Sequence, residues 1–239
     1  MISIIIPTLN EEKIIGRTVS GLKSKFSIPH EIIVSDGKST DRTVETARAA
    51  GAKVVAYAGT ARQTIAQGRN DGAKIAEGEF LVFLDADCSI KDPEKFFQAA
   101  LKNFDDPKLT GLVPWIKVLP EMATWADRLV YAVFNSYLWL INNLLGLGVS
   151  GGEFQMMRKS DFQKIGGYNE SLVASEDMDL LNRLSKLGKV KLDRKLVVYH
   201  TGRRAHKVGW PRLLYLWLAN SVSMMMRKKA YSKEWTVIR

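Results

Sequence analysis

The sequence predicts an α/β protein with a mostly parallel, Rossmann-like central sheet, helices on both faces, and a helical C-terminal appendage. Three observations carry this reading. Short apolar runs at Ser3–Ile6, Ile32–Val34, Lys53–Tyr57 and Phe80–Leu84 alternate with helical segments, the rhythm of successive βαβ units. The runs at Ile4–Ile6 and Phe80–Leu84 are unbroken, which fits strands covered on both faces. Each run ends in a polar loop, and the Phe80 run ends in Asp85-Ala86-Asp87. A carboxylate cannot stay unpaired inside a buried strand. The two aspartates must therefore emerge at the strand's C-terminal end, where open α/β sheets bind ligands.

Taken in order, Ser3–Ile6 is the first strand, closed by Pro7. Asn10 reads as the N-cap of a helix to about Lys25, with Glu11 and Glu12 favoured in its first turn by the helix dipole. Glu31–Ser35 is the second strand, and Asp36–Thr43 is a turn-rich loop. A helix from about Asp41 to Ala50 stops at Gly51, a residue suited to the left-handed position after a helix. Lys53–Tyr57 is the third strand, Gln63–Ala76 a helix rich in small residues, and the Phe80 run the fourth strand. Asp92-Pro93-Glu94 opens a helix to about Phe104, and Leu109–Val118 is a strand interrupted at Pro114.

There the regular alternation ends. Leu129–Gly152 has no charged residue and many aromatic ones. It is long enough to span a bilayer, but Asn135, Ser136, Asn142, Asn143, Gly146 and Gly148 count against a lipid-exposed span. Two readings stand: a helix packed in the core, or one lying at a membrane interface. Gly151–Arg158 then reads as loop and strand, Ser160–Lys164 as a short helix, Asp177–Lys186 as a helix, and Val190–Tyr199 as a strand reaching His200. Trp210–Arg227 is an aromatic-rich helix ending in Arg227-Lys228-Lys229.

At 239 residues the chain can bury a full core. Its single cysteine, Cys88, excludes an internal disulfide and fits a reducing compartment. The apolar stretch at Ile2–Ile6 is too short for a signal peptide. These features suggest a cytoplasmic protein, peripheral on the cytoplasmic membrane face if the apolar helices touch lipid. The net charge of +10 is uneven: residues 183–239 hold 15 Lys and Arg against Asp193 and Glu234. The other 182 residues hold 20 basic and 23 acidic side chains. Such a tail suits an anionic partner: lipid headgroups, a phosphorylated substrate or nucleic acid. No RNA-binding or recognition-helix signature accompanies it, so a basic nucleic-acid-binding module is the weaker alternative.

The loops after the strands supply Thr8, Asn10, Glu12, Asp36, Asp41, Asp85 and Asp87. Carboxylates on successive strand ends can accept from a base or from ribose hydroxyls. No glycine-rich phosphate loop follows the first strand, which argues against a P-loop or a dinucleotide fingerprint. A nucleotidyltransferase is disfavoured as well, because Pro7-Thr8-Leu9-Asn10 lacks both a glycine-rich loop and a basic residue. A diphosphate would need a metal or cationic side chains instead. By itself, Asp85-Ala86-Asp87 fits either a divalent-cation site or a solvated loop.

Taken together, the motifs resemble family 2 glycosyltransferases of the GT-A fold. Ile4–Glu12, Asp36–Thr43, Gly68–Ala73 with Ala76–Glu79, Asp85-Ala86-Asp87, Gly151–Phe154, Gly166–Glu170 and Ser175–Leu180 follow the family's order across about residues 1–205. The resemblance implies a donor half over residues 1–105, an acceptor half over 106–205, and a basic amphipathic helical region over 206–239. It places Pro7, Thr8, Asn10 and Glu12 in the nucleoside pocket and Asp36 on the base. Arg69, Asp85 and Ala86 lie by the nucleotide, and Asp85 and Asp87 hold a Mn2+ or Mg2+ ion. Asp177 is then the general base, supported by Glu176, with Gly151 and Gly152 on the acceptor side. Arg203, Arg204 and His206 are candidates for the diphosphate. His200 is a metal or phosphate contact, or simply a hydrogen-bonded strand-end residue.

The implied reaction is an inverting, metal-dependent transfer of one sugar from a UDP- or GDP-linked donor to a hydroxyl acceptor, lipid-linked or not. A polyprenyl-phosphate acceptor is the alternative. It has an ionised oxygen that needs no base, whereas Glu176-Asp177 suits a hydroxyl. Asp177 is expected to stay ionised at its helix N-terminus. Gly37 and Lys38 depart from the family's second loop, which leaves UDP against GDP open. Arg212 and Trp217 lack the spacing of processive synthases, so one sugar per encounter is expected.

Overall fold

Unbroken apolar runs become strands with a helix layer on each side. The computed structural model describes residues 1–23, 26–60, 62–227, 229–232 and 238. In chain order the elements are β1 (Ile2–Thr8), α1 (Ile15–Lys23), β2 (His30–Asp36), α2 (Thr43–Ala49), β3 (Lys53–Ala56), α3 (Ile65–Ile75), β4 (Phe80–Leu84), β5 (Cys88–Ser89) and α4 (Pro93–Asn103). They continue with β6 (Leu109–Val118), α5 (Trp125–Trp139), a π-helical turn (Leu140–Leu144), β7 (Phe154–Arg158), α6 (Lys159–Lys164), α7 (Glu176–Leu184), β8 (Lys189–His200), α8 (Arg203–Val208) and α9 (Trp210–Arg227).

One sheet of order β3-β2-β1-β4-β7-β6-β8-β5 runs through both halves of the chain. β3, β2, β1 and β4 are parallel neighbours, as are β6 and β8. β7 is antiparallel to both β4 and β6, and β5 to β8. The expectation of a mostly parallel sheet therefore holds for the first four strands and is diluted beyond them. Alternate side chains divide the core in two. Ile2, Ile4, Ile6, Val82 and Leu84 face Ile15, Val19 and Phe97, while Ile5, Leu81 and Phe83 face Ala66, Phe162 and Leu180.

The small residues of α3 have a physical cause. A Cβ on Gly72 would stand 2.4 Å from Ile5 Cγ2, so α3 can approach β1 only with glycine there. Pro114 sits where the β6–β8 register shifts, between Pro114 and Trp115. The helix predicted from Asn10 is corrected: Asn10 has φ 57° and α1 begins at Ile15. Asn10 does not cap the helix because its backbone N–H and side-chain oxygen are bound to the second loop. The predicted far end at Lys25, and Lys228 after α9, lie outside the described residues.

The uncharged stretch 129–152 is only partly helical. α5 buries Tyr131, Asn135 and Leu138, and leaves Leu129, Val133 and Tyr137 exposed. Asn135 holds β6 by accepting from Ile116 N–H at 2.9 Å and donating to the Ile116 carbonyl at 2.8 Å. α9 lies against α5 through Trp217, whose ring stands 5.2 Å from Phe134. Among the described residues no helix is long and apolar enough to cross a membrane.

Candidate active site

A cleft of about 540 Å³ opens at the C-terminal ends of β1 and β4, within the size range of small-ligand sites. Pro7, Thr8, Arg69, Asp85, Ala86, Asp87, Gly151, Gly152, Glu176, Asp177, His200, Arg203 and Arg204 all line it. Residues spread over nearly two hundred positions thus converge on one space.

Arg69 is its hub. The side chain is 1% exposed and projects from α3. Nη1 donates to Glu176 Oε1 at 2.8 Å, and Nη2 donates to Asp85 Oδ1 at 3.1 Å and to the Gly152 carbonyl at 2.8 Å. The guanidinium also lies 5.2 Å from the Tyr168 ring centroid. It therefore bolts the first acid after β4 to the first acid of α7. Gly152 sits at the junction: its Cβ position would lie 3.6 Å from Arg69 Nη2, 3.9 Å from Asp85 Oδ2 and 4.0 Å from Asp177 Oδ2, in ordinary contact with all three.

The acids are held at unequal proton affinity. Desolvation within the cleft raises Asp85, although 38% of its side chain stays exposed; Arg69 opposes the shift, and Asp87 and Glu153 add to it. Burial, with Glu176 beside it, pushes Asp177 up to about 8. This corrects the expectation that the helix N-terminus keeps Asp177 ionised, because desolvation and a like charge outweigh the dipole. Burial also raises Glu153 and lowers His200.

Asp87 is held from the other side. Its Oδ2 accepts from Thr201 Oγ1 at 2.6 Å and pairs with Arg203 Nε at 3.1 Å. The two terminal nitrogens of Arg203 grip Glu11 at 2.7 and 2.9 Å. The guanidinium expected to meet a diphosphate is thus a bridge between Glu11 and Asp87, while Arg204 keeps its place on the wall.

Four of the expected site residues stand off the lining of this cleft. Asn10, Glu12, Asp36 and His206 are not among the cleft's lining residues. Asn10 Oδ1 accepts from Thr40 N–H at 2.8 Å, and Glu12 Oε2 accepts from Arg42 N–H at 3.1 Å. Asp36 accepts from Thr8 Oγ1, from Ser39 Oγ and from the N–H groups of Lys38 and Ser39. These three residues stitch the loops after β1 and β2 together, and Gly37 takes Asp36's place on the wall. His206 Nε2 meets Asp127 Oδ2 at 2.8 Å, an acid that Trp210 Nε1 also holds at 2.9 Å.

Residues beyond the predicted set also line the cleft, among them Glu11, Gln63, Glu153 and Ser175. Glu11 and Glu153 stand inside the recognised motifs, but nothing in the sequence says which side of a loop they take. All three non-glycine residues with left-handed backbone among those described, Asn10, Lys38 and Ser175, lie in the loops that build this end of the molecule. Strain of this kind clusters at functional sites.

The donor set suits a divalent ion. Asp85 Oδ2 and the Asp87 carboxylate face the cleft beside His200, whose buried Nε2 has no hydrogen-bond partner. His200 Nδ1 accepts from Gly202 N–H at 3.2 Å. In the neutral ring that contact leaves the proton on Nε2, which favours an anion contact over metal ligation. Among the described residues no three His, Cys, Asp or Glu side chains form a ready-made cage. Ions of the Mg2+ type need none, because they are commonly held by one or two carboxylates and substrate phosphates.

The model of glycosyl transferase family 2 matches residues 3–166. The chain is 30% identical over 171 residues to a 4,4'-diaponeurosporenoate glycosyltransferase of Staphylococcus haemolyticus, covering 67% of this chain and 45% of that one. It is 31% identical over 230 residues to validoxylamine A glucosyltransferase of Streptomyces hygroscopicus subsp. limoneus, covering 79% and 48%. It thus spans about half the length of these curated relatives. A solved mannosyltransferase of Pyrobaculum calidifontis, in complex with GDP-Man and Mn2+, superposes with TM-score 0.74 at 20% identity over 95% of this chain and 64% of that one. Glucosyl-3-phosphoglycerate synthase of Mycobacterium tuberculosis, with Mn2+, UDP and phosphoglyceric acid, gives 0.60 at 22% identity over 87% and 73%. These two likenesses speak to the fold. A family match across more than half of the chain, on a GT-A sheet, makes this protein a member of glycosyl transferase family 2.

Proposed function

We propose that the cleft transfers one sugar, with inversion, from a UDP- or GDP-linked donor to a hydroxyl acceptor, and that the reaction depends on Mn2+ or Mg2+. One observation carries the reading. Arg69 ties Asp85, on the donor side, to Glu176, whose neighbour Asp177 stands across Gly152. A leaving group held at one end and a base at the other is what in-line displacement at an anomeric carbon requires.

Asp85 and Asp87 are the residues that would hold the ion, with His200 beside them. When bound, the ion would offset the negative charge of the departing nucleoside diphosphate. Pro7, Thr8, Gly37 and Gln63 wall the nucleoside end, and Arg204 is the cationic wall residue for the phosphates. Asp177 takes the acceptor proton. An acid pushed up towards 8 is a stronger base, once ionised, than an exposed aspartate. Glu176 and Arg69 position it. A polyprenyl-phosphate acceptor is the second reading, favoured by Phe134, Leu213 and Trp217 on the cleft wall but leaving Asp177 without a proton to remove. The donor is found by thermal-shift titration of UDP, GDP and their sugars with Mn2+. The assignment is tested by Asp177→Asn, which should bind donor normally and lose transfer. Wild-type turnover in that variant would sink it.

A further inference from the structure

The most exposed apolar surface lies on α5, the π turn and α9. On α5, Trp125, Leu129, Val133 and Tyr137 recur every four residues, 79%, 57%, 63% and 49% exposed. Leu144 and Leu145 continue the apolar surface from the π turn. On α9, Leu214, Leu218, Val222 and Met226 form a second stripe with the same spacing, again exposed. Residues four apart share a helix face, so each helix shows one apolar stripe outward while its other face packs inward. The helices join through Tyr131 and Phe134 against Trp210 and Trp217. Soluble proteins rarely leave exposed apolar stripes of this length uncovered.

Charge says what covers it. Between residues 122 and 152 the sole acid is Asp127, 1% exposed and engaged by His206 and Trp210. Between residues 194 and 233 there is no acid at all. Arg128, Lys207, Arg212, Arg227 and Lys229 stand exposed on or beside the same helices. Exposed leucines, an exposed tryptophan and tyrosine, and flanking cations that outnumber the nearby exposed acid, Glu121, form the pattern of helices that lie in an anionic bilayer surface.

We infer that α5, the π turn and α9 form a docking face for an anionic lipid bilayer, with the helices lying in the headgroup region. Tyr137 and Phe134 of α5, and Leu213 and Trp217 of α9, also line the cleft, so docking brings the cleft wall to the membrane. The inference stands on exposure and charge and does not depend on the sugar-transfer reading.

Flotation of the 239-residue chain with phosphatidylglycerol–phosphatidylcholine vesicles tests it. The protein should float with anionic vesicles at low salt, more weakly as salt screens the cations. Leu129→Glu combined with Leu218→Glu should cut partitioning by more than about tenfold, with an unchanged circular dichroism spectrum. Neither position lines the cleft. Should that variant unfold, wild-type tryptophan quenching by brominated acyl chains decides, and Trp125→Phe should remove much of it. Failure to float, flotation unaffected by the double exchange, or no quenching would overturn the inference. So would a wild-type dimer that ignores vesicles and dissociates in the double variant, because the face would then join two copies.

Discussion

Arg69→Met removes the cation that joins the two sides of the cleft and leaves its carboxylates behind. Arg69 is 1% exposed, and its partner Glu176 keeps only 8% of its side-chain surface at a separation of 2.8 Å. Asp85, at 3.1 Å, keeps 38% and is better solvated, so Glu176 suffers most. Removing one partner of a buried ion pair costs about 3–5 kcal/mol. In a chain of this size that lowers Tm by about 6–20 °C. The loss should also depend on pH. Arg69 lowers the proton affinity of Asp85 and of Asp177; without it both rise further above their unfolded values. The variant's folded state then holds protons to higher pH than the wild type's. Its stability therefore falls more steeply as pH rises, and the Tm gap should be wider at pH 8 than at pH 5. Thermal unfolding of both proteins at the two pH values measures this. A Tm loss under about 2 °C, or a gap of the same size at both pH values, would refute the hub assignment.

Three further outcomes follow from the same geometry. With Asp177 raised to about 8 in the empty cleft, kcat/KM for the donor should climb about tenfold per pH unit below that value and level above it; a flat profile from pH 6 to 8 would remove Asp177 as the base, and Asp177→Asn should cost about 10²–10⁴ in kcat. Asp87→Ala should abolish stimulation by Mn2+ or Mg2+ in a metal titration of transfer, and an unchanged metal dependence would show that the ion sits elsewhere. Gly72→Ala should cost about 1–3 kcal/mol by driving a methyl into Ile5, read as a lower Tm with an unaltered KM.

Local patterns made the first half of the fold legible. β1, β2, β3 and β4 are apolar runs bounded by turn residues, and the helix before β3 carries its stop signal at Gly51. β6 and α9 match their predicted bounds, Leu109–Val118 and Trp210–Arg227. What the sequence hides is long-range pairing. β7 enters between β4 and β6 in antiparallel sense after about seventy intervening residues, and two-residue β5 exists only because β8 lies beside it. No periodicity encodes either event. α8 is equally hidden: six residues between left-handed Gly202 and Gly209 are too short to show a helical period.

The site shows the same division more sharply. Motifs name the loops that gather; they do not say which side chain of a loop turns inward, because a loop has no period. Asn10 is the clearest case. Read as a helix cap, it would put Glu11 and Glu12 in a regular first turn. With φ 57° the backbone turns instead, Glu11 sinks to 4% exposure against Arg203, and Glu12 reaches the Arg42 N–H. Asp36 shows the same thing: in its turn it accepts from the Lys38 and Ser39 N–H groups, a set of bonds that its place in a motif does not reveal. Ionisation fails for a different reason. A helix N-terminus is visible in sequence, but the burial and the like-charged neighbour that overrule it arise only when Gly152, Arg69 and α7 meet. The two halves of the cleft are therefore not independent. Arg69 gives Asp85 and Glu176 a common counter-charge, so a change in the charge at Asp85 is felt at Asp177, and filling the donor side should shift the proton affinity of the base.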